Sequence, residues 1–264
     1  KQTVVIGTNQ NPYSECKVDE LLNEGGFLAR RRTGGGAVYH DLGNLNFSFV
    51  ADKEIYDVKR QMTVIQKALL NYGLETEVSG RNDITYQGRK FSGNAFAKTK
   101  HQGLHHGTIL IKTDGEKLQR YLKVKPAKLH KHGVKSVASR VINLSEVADI
   151  TSENIIPHLI KAFEDVYQSK AKTIDFNSLC SDEVVRQSQY ISSDEYLYGK
   201  WKEFHTKKNA TFDWGSVEID IDIDENKGII KNINIASDSL DPASINLAIE
   251  ILKDASIHDK PIFP

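Results

Sequence analysis

The chain has 264 residues, of which 39% are apolar and 27% charged, with 35 basic and 35 acidic side chains. This composition indicates a globular protein with one large domain, or a large and a small one, and a formal net charge of zero argues against nucleic acid as a partner. No apolar run reaches the ~18 residues that a membrane span needs, and two distant cysteines form neither a disulfide framework nor a zinc pattern.

The first two thirds of the chain predict strands and helices in alternation. Apolar runs bounded by turn residues predict strands over residues 3–7, 27–32, 46–50, 76–78, 84–86, 90–91 and 108–111. Apolar residues at helical spacing predict helices over residues 18–23, 58–72, 118–122 and 155–167. The second of these helices stops at Gly73, a favourable C-cap.

The pattern changes after about residue 208. Residues 216–223 alternate apolar and acidic side chains, which predicts a half-exposed strand. A turn at Lys227 and Gly228 then leads into a second strand over residues 229–235, and residues 243–252 predict a helix. This is a small α+β unit of its own, so we place a domain boundary near residues 202–209, with one domain over residues 1–205 and another over residues 206–264.

The most distinctive segment is residues 30–46, R-R-R-T-G-G-G-A-V-Y-H-D-L-G-N-L-N. Consecutive glycines let a backbone press close to a ligand, and arginines supply planar donors for carboxylate or phosphate oxygens. The alternative is a surface turn with solvated basic residues. Because predicted buried strands flank it, we favour a pocket for an anionic or phosphorylated small molecule.

Three further clusters could carry chemistry. Asn82 and Asp83 offer the oxygen ligands that Mg²⁺ uses when it is shared with phosphates, although they could equally cap a turn. Lys90 precedes small residues and could hold a phosphate or carboxylate, or be a solvated surface lysine. His105 and His106 are adjacent on a predicted strand and therefore point to opposite faces, so at most one faces a pocket.

Charge is unevenly spread along the chain. Lys and Arg predominate over residues 112–140, whereas residues 213–225 are strongly acidic. The basic stretch could meet phosphates or an acidic protein partner, or it could be a solvated helix face.

Taken together, these motifs resemble the lipoate–protein ligase A family. The motifs R-R-T-G-G-G-A-V-Y-H-D-L-G-N-x-N, G-R-N-D-I, K-F-S-G-N-A, H-H-G-T-I-L and K-S-V-A-S-R-V-x-N-L stand here in that family's order. The opening V-V-I-G-x-x-Q-N-P-Y-x-E-C and the later D-S-L-D-P also match. The resemblance is specific over residues 3–145 and weaker to about residue 255.

The resemblance implies an α/β (α+β) fold, with a large mixed-sheet catalytic domain like that of biotin and lipoate ligases and a small C-terminal α+β accessory domain. It implies an enzyme that activates lipoate with ATP to lipoyl-AMP and transfers the lipoyl group to a lysine. The acceptors would be apo lipoyl domains of the E2 subunits of 2-oxoacid dehydrogenase complexes, or the glycine cleavage H protein. These acceptors are typically acidic and would suit the basic residues 117–140.

The same resemblance implies roles for individual residues. Lys90 would be catalytic, contacting both the lipoate carboxylate and the α-phosphate, and Asn82 and Asp83 would bind Mg²⁺ and nucleotide. The lipoate and nucleotide pocket would be lined by further motif residues: Arg31, Gly34, Gly35, Gly36, Ala37, Val38, Tyr39, His40, Asn44, Ser92, Gly93 and His106. Residues 123–135 would form a loop that closes over the adenylate.

Other members of the superfamily leave alternatives open. One is a lipoyltransferase that uses pre-formed lipoyl-AMP, against which the intact G-R-N-D-I argues. A second is a cysteine-dependent octanoyl or lipoyl transferase, but Cys16 and Cys180 are remote in sequence from the Lys90 motif. A third is a non-enzymatic lipoate-binding module, which the presence of Lys90 and Asp83 disfavours.

The chain opens without Met inside a predicted strand, and the family has a segment ahead of that strand, so we expect a truncated or processed start. The two cysteines favour a reducing compartment. We therefore expect the cytoplasm, or the mitochondrion if a targeting peptide has been lost.

Overall fold

The structure is a computed structural model that describes residues 1–123, 140–198, 206–224 and 229–256. Most of the predicted closing loop over residues 123–135 and of the basic stretch lies outside these ranges, as does the turn at Lys227 and Gly228. Part of the predicted domain boundary at residues 202–209 lies outside them as well.

The chain begins with a small mixed sheet. Strand β1 (Thr3–Ile6) pairs in parallel with β2 (Phe27–Arg30) and antiparallel with β3 (Val38–His40). Helices α1 (Pro12–Glu15) and α2 (Val18–Asn23) connect the parallel pair. Helix α1 begins where it does because Asn11 accepts a hydrogen bond from the Tyr13 amide and Pro12 occupies the first helical position.

A five-stranded antiparallel sheet forms the main body. Its strands are β4 (Asn44–Asp52), β5 (Glu77–Ser79), β6 (Asp83–Tyr86), β7 (Arg89–Lys98) and β8 (Gln102–Leu110), in the order β4-β8-β7-β6-β5. Helices α3 (Val58–Leu70) and α5 (Ser152–Tyr167) pack on one another and cover one face. Asp57 caps the first and Thr151 the second, the latter in a capping box with Asn154.

The core lies between these helices and the sheet. Its fully buried members include Ile65 and Leu69 of α3, Ile155 of α5, and Ile84 and Ile109 of the sheet. Helix α4 (Gly115–Tyr121) packs against the small sheet and α2, whereas the 3₁₀ helix Leu144–Glu146 contributes Leu144 to the core of the large sheet. The bulk of the apolar surface is thus buried on one face, which leaves the other face free to carry polar chemistry.

The remaining elements follow α5. Helices α6 (Asp182–Ile191) and α7 (Asp194–Tyr198) come first, then strands β9 (Thr206–Phe212), β10 (Gly215–Asp224) and β11 (Ile229–Ser237) in the order β11-β10-β9, and finally α8 (Pro242–Leu252). Val217, Ile235 and Ile245 form the small core between this sheet and α8.

The predicted α+β fold, with a large sheet and a small C-terminal unit, is confirmed. Among the strands of the described ranges, β1 and β2 alone pair in parallel, and Lys90 and Val141 form one isolated parallel bridge. The predictions for β4, β7 and β8 were several residues too short, and β3, β9, α1, α6 and α7 were not predicted. Among the helices of the described ranges, none has the length and apolar content of a membrane crossing.

Candidate active site

We call residues 31–37, between β2 and β3, the glycine loop. Arg31 holds it in shape, because its guanidinium donates hydrogen bonds to the carbonyl oxygens of Gly34 (2.8 and 3.2 Å), Gly36 (2.8 Å) and Val5 (3.2 Å). Burial lowers the pKa of Arg31 to about 10, which still leaves it charged at neutral pH. In this conformation Arg31 is therefore engaged with the loop backbone.

The neighbouring Arg30 is a second buried anchor that the sequence did not single out. Its guanidinium donates to the carbonyl oxygens of Gly7, Thr8 and Gln10 at 2.7–3.2 Å. It also donates to two carbonyl oxygens of α7, those of Tyr196 (3.0 Å) and Leu197 (2.6 Å). Cations are favoured at helix C-termini, so Arg30 ties α7 to the loop after β1.

A turn of the C-terminal unit rests on the glycine loop. The Gly35 amide donates to the Ser239 carbonyl oxygen at 2.9 Å, and a Cβ on Gly34 would lie only 2.1 Å from that oxygen. Gly35 has φ +93°, which glycine adopts without strain. Of the three glycines, at least Gly34 and Gly35 thus allow the backbone around Ser239 to pack closely against the loop.

Lys90 and Asp83 form an ion pair, with Nζ 2.7 Å from Oδ1. A β-bulge makes this pairing possible. Residue 83 pairs with residue 93, but residue 85 pairs with residue 90, so β7 has one extra residue between these pairs. The extra residue reverses the side-chain alternation and turns Lys90 to the face that holds Asp83 and Gly93.

Gly93 leaves room for the lysine to cross. A Cβ there would lie 2.8 Å from Lys90 Nζ, and the Gly93 amide donates to Thr108 Oγ1 at 3.2 Å. Asn82, next to Asp83, donates from Nδ2 to the Asn94 carbonyl oxygen at 2.6 Å. Its amide oxygen has no hydrogen bond within the described part of the chain.

Two histidines lie near the glycine loop. His106 Nε2 is 2.7 Å from Thr33 Oγ1, and His40 Nδ1 is 3.5 Å from Asn46 Nδ2. Burial, together with the charge of Arg31, lowers the pKa of each imidazole to about 4. Both are therefore neutral at physiological pH, when they can donate or accept single hydrogen bonds.

The ion pair of Lys90 and Asp83 and the histidines beside the glycine loop lie on one face of the large sheet. His106 and Thr108 are two residues apart on β8, so their side chains point the same way, roughly 7 Å apart. Thr108 contacts the strand carrying Lys90, and His106 contacts the glycine loop. The structure thus brings together the predicted residues Arg31, His40, Asp83, Lys90, Gly93 and His106.

Five other residues predicted for the site have different surroundings. Ser92 is fully buried on the opposite face, where its hydroxyl accepts from Asn94. Tyr39 is buried beside Tyr121, and its hydroxyl has no hydrogen-bond partner among the described residues. Ala37 packs against the same small core as Tyr39, and Val38 flanks it on β3. Asn44 is buried at the start of β4, and within the described ranges neither the nitrogen nor the oxygen of its side-chain amide has a hydrogen-bond partner.

One open groove of about 630 Å³ lies at the N-terminal end of α5, lined by Leu42, Lys112, Ser152 and their neighbours, and contains none of the predicted site residues. The chemistry-bearing side chains are a better guide to the site, because an anion is bound through hydrogen-bond donors and positive charge rather than through cavity volume.

The structure also bears on the cysteines. Cys16 is fully buried, and burial raises the pKa of its thiol to about 11 even though Lys123 opposes the shift. A thiol with a raised pKa is a poor nucleophile. Cys180 is exposed and lies in the segment before α6. Neither suits a cysteine-dependent mechanism at the Lys90 site.

The sequence analysis gave His105 only as a possible pocket residue beside His106, and it assigned no role to several other residues that shape the site: Arg30, Thr33, Asn94, Thr108 and Ser239. Their partners are distant in the chain, as with Thr33 and His106, and no local pattern reports such pairs. The clue available was that Thr33, Asn94, His105 and Thr108 lie inside the motifs already recognised.

Comparison with known families matches residues 1–164 to the lipoyl protein ligase A/B catalytic domain, and residues 202–262 to the bacterial lipoate protein ligase C-terminus. The chain is 38% identical to a lipoate-protein ligase A of Psychrobacter cryohalolentis, over 98% of this chain and 78% of that protein. It is 40% identical to a lipoate-protein ligase A of Bdellovibrio bacteriovorus, over 96% and 76% respectively.

Solved structures with the same fold carry ligands or partners. One is P. falciparum LipL1 in complex with lipoate, with a TM-score of 0.84 and 35% identity over 97% of this chain and 76% of that one. Another is a lipoate-protein ligase A bound with ATP (TM-score 0.63, 28% identity, 75% and 82% covered). A third is the bipartite ligase of Thermoplasma acidophilum with its E2 lipoyl domain (TM-score 0.65, 29% identity, 78% and 84% covered).

Proposed function

The chain belongs to the lipoyl protein ligase A/B family and acts as a lipoate–protein ligase on lipoate and ATP, and we propose that the face described above carries both half-reactions. In the first, the carboxylate of lipoate attacks the α-phosphate of ATP, which gives lipoyl-AMP and pyrophosphate. In the second, a lysine amine attacks the acyl carbon and AMP leaves. The observation that carries this proposal is the 2.7 Å pair of Lys90 and Asp83 on the face of His106 and the glycine loop.

Lys90 is the residue we assign to catalysis. Two anions, a carboxylate and a phosphate, must approach each other in the first step, and negative charge develops between them. An ammonium group placed there stabilises that charge. Asp83 holds Nζ until substrates arrive, and Gly93 keeps the path of the side chain clear.

The oxygen atoms of Asn82 and Asp83 fit Mg²⁺ shared with ATP. Mg²⁺ is typically held by one or two carboxylates together with substrate phosphates, and here one carboxylate lies beside one amide oxygen. No cluster of three His, Cys, Asp or Glu within the described residues makes a protein-only metal site. When bound, the ion would neutralise phosphate charge and polarise the bond that breaks.

The glycine loop would take the nucleotide and the lipoyl chain. Backbone amides without side chains beside them approach phosphate oxygens closely, and Arg31 keeps the loop in shape. His106, His40 and Asn44 would complete the wall with neutral donors and acceptors. Gly34, Gly35, Gly36, Ala37, Val38, Tyr39 and Ser92 would contribute through backbone and packing.

The acceptors we propose are lysines of apo lipoyl domains of E2 subunits, and also the glycine cleavage H protein. A solved relative is described with its E2 lipoyl domain, which supports the first of these. We further propose that residues 1–205 form the catalytic domain and residues 206–264 the accessory domain. Both cysteines are free thiols, in keeping with the cytoplasm as the compartment.

A mass measurement tests the whole reaction. An apo lipoyl domain incubated with enzyme, lipoate, ATP and Mg²⁺ should gain one lipoyl group, and omission of ATP should abolish the gain. A gain only when lipoyl-AMP is supplied would instead indicate a transferase.

Pyrophosphate release in the absence of acceptor tests the assignment of Lys90. Lys90→Ala should abolish it, whereas Lys98→Ala, at the far end of the same strand, should leave it unchanged. Unchanged release by Lys90→Ala would remove Lys90 from the mechanism.

A further inference from the structure

His105 is a fully buried histidine on the core face of β8, opposite to His106. Three phenylalanine rings surround it, with centroids 4.9–5.6 Å from the imidazole: Phe47, Phe49 and Phe96. A polar ring in such surroundings costs free energy unless both nitrogens are hydrogen-bonded. The contacts that satisfy it therefore define its role.

Both ring nitrogens have an amide partner. Nδ1 lies 3.1 Å from Gln61 Oε1 on α3, and Nε2 lies 2.8 Å from Asn94 Oδ1 on β7. A neutral imidazole has one donor and one acceptor nitrogen. Asn94 already uses its amide nitrogen on the Asn82 carbonyl and Ser92 Oγ, so its oxygen must accept from Nε2–H. Nδ1 is then the acceptor, which Gln61 satisfies once its side-chain amide is turned so that the nitrogen, rather than Oε1, faces Nδ1.

The Asn94 side chain, which His105 orients, in turn holds the backbone of Asn82. The Asn94 side chain donates to the Asn82 carbonyl oxygen at 3.1 Å, and the Asn94 amide donates to the same oxygen at 2.9 Å. In return Asn82 Nδ2 donates to the Asn94 carbonyl oxygen at 2.6 Å. Because its nitrogen is committed, Asn82 keeps its side-chain oxygen as the atom available to a ligand, directly beside Asp83.

The side chain of Asn94 is closely packed against Gly107. A Cβ on Gly107 would lie 2.5 Å from Asn94 Oδ1, so the amide occupies the space that this glycine leaves open. Burial also lowers the pKa of His105 to about 4, which keeps it neutral with one donor nitrogen. The hydrogen bonds that run from Gln61 on α3 through His105 and Asn94 to Asn82 are thus held in one arrangement.

We propose that His105 is a positioning residue for nucleotide binding: by fixing Asn94 it sets the Asn82 amide so that its oxygen stands ready beside Asp83. The proposal rests on the function proposed above, in which Asn82 and Asp83 bind ATP with Mg²⁺. His105 touches no substrate, and its effect is confined to the half of the site that takes the nucleotide.

Two substitutions separate the roles of its nitrogens. The amide nitrogen of glutamine reaches the position of Nε2, whereas that of asparagine reaches only the position of Nδ1. His105→Gln should therefore keep the bond to Asn94, whereas His105→Asn loses it and can donate only to Gln61 Oε1. We expect His105→Asn to raise the Kd for ATP with Mg²⁺, measured by calorimetry, and the KM for ATP by about tenfold. The KM for lipoate should change less than twofold, and His105→Gln should recover most of the loss.

Circular dichroism and denaturant unfolding establish that the variants fold, and an Asp83→Asn enzyme serves as reference. If Asp83→Asn weakens ATP binding but His105→Asn does not, or if both His105 variants weaken binding equally, the positioning role is overturned. If Asp83→Asn itself binds ATP with Mg²⁺ normally, the site assignment fails and this proposal with it.

Discussion

Lys90 Nζ lies 2.7 Å from Asp83 Oδ1, and the lysine side chain reaches that carboxylate by crossing over Gly93. The β-bulge between the paired residues places all three on one face. The position of the lysine thus depends on a backbone irregularity and on the absence of one methyl group. Both can be tested without touching the charges.

Gly93→Ala should therefore impair lipoate activation while leaving the fold intact. The new Cβ would lie 2.8 Å from Lys90 Nζ and 2.9 Å from its Cε, which are the flexible end of the side chain and can move aside. We expect pyrophosphate release to fall by about 10–100-fold, since ångström-scale displacement of a catalytic group has effects of that order. Thermal unfolding should change little.

Gly115→Ala is the matched control. Its backbone does not lie in the left-handed region, and nothing lies within 4 Å of the added Cβ. Equal activities of the Gly93→Ala and Gly115→Ala enzymes would contradict the proposed path of Lys90.

Gly34→Ala, unlike Gly93→Ala, should lower the free energy of unfolding. Its Cβ would lie 2.1 Å from the Ser239 carbonyl oxygen and 3.0 Å from Leu240 Cα, and both atoms belong to backbone that cannot rotate away. The turn of the C-terminal unit must shift, at a cost of about 1–3 kcal/mol in the free energy of unfolding. Denaturant unfolding measures this, and a midpoint equal to that of Gly115→Ala would mean that the turn does not rest on the glycine loop.

Arg30 and Arg32 offer a comparison between a buried and an exposed arginine. Arg30→Met leaves several buried carbonyl oxygens without a donor and should lower the free energy of unfolding by on the order of 3 kcal/mol. Arg32 is exposed and donates to Gln187, so Arg32→Met should change it by less than about 0.5 kcal/mol. Similar losses in the two variants would refute the anchoring role of Arg30.

The sequence predicted elements best where side-chain pattern and sheet position agree. Strand β10 was predicted as residues 216–223 and spans Gly215–Asp224, because its apolar and acidic residues alternate. Strand β7 was predicted as two residues but spans Arg89–Lys98, since Ser92, Gly93 and Asn94 interrupt its apolar pattern. Pairing with β6 and β8 stabilises those residues as strand, and local propensity does not register such partners.

The same limit applies to the site. Motif resemblance identified Lys90, Asp83 and the glycine loop, whose roles remain predictions. It did not reveal that Arg31 is engaged with loop carbonyls, or that Ser92 lies on the face opposite to Lys90. The contacts of Arg31 depend on how the rest of the glycine loop folds back on its first residue. The orientation of Ser92 relative to Lys90 depends on the one-residue β-bulge. Neither feature can be read from the spacing of residues in the sequence.

The fully buried His105 and the half-buried His40 and His106 predict a loss of stability in mild acid. The pKa of His40, His105 and His106 is lowered to about 4, first by burial, with Arg31 adding to the effect at His40 and His106. The unfolded chain therefore binds more protons than the folded one between about pH 6.5 and pH 4. The contribution of these groups is complete above pH 6.5 and is lost as the pH falls towards 4, at on the order of 2–3 kcal/mol per histidine. Urea unfolding between pH 4.5 and 7.5 measures it. His105→Gln removes one of the three groups and should flatten this dependence, and a curve parallel to that of the unmodified protein would contradict the assignment of His105 as a buried neutral imidazole.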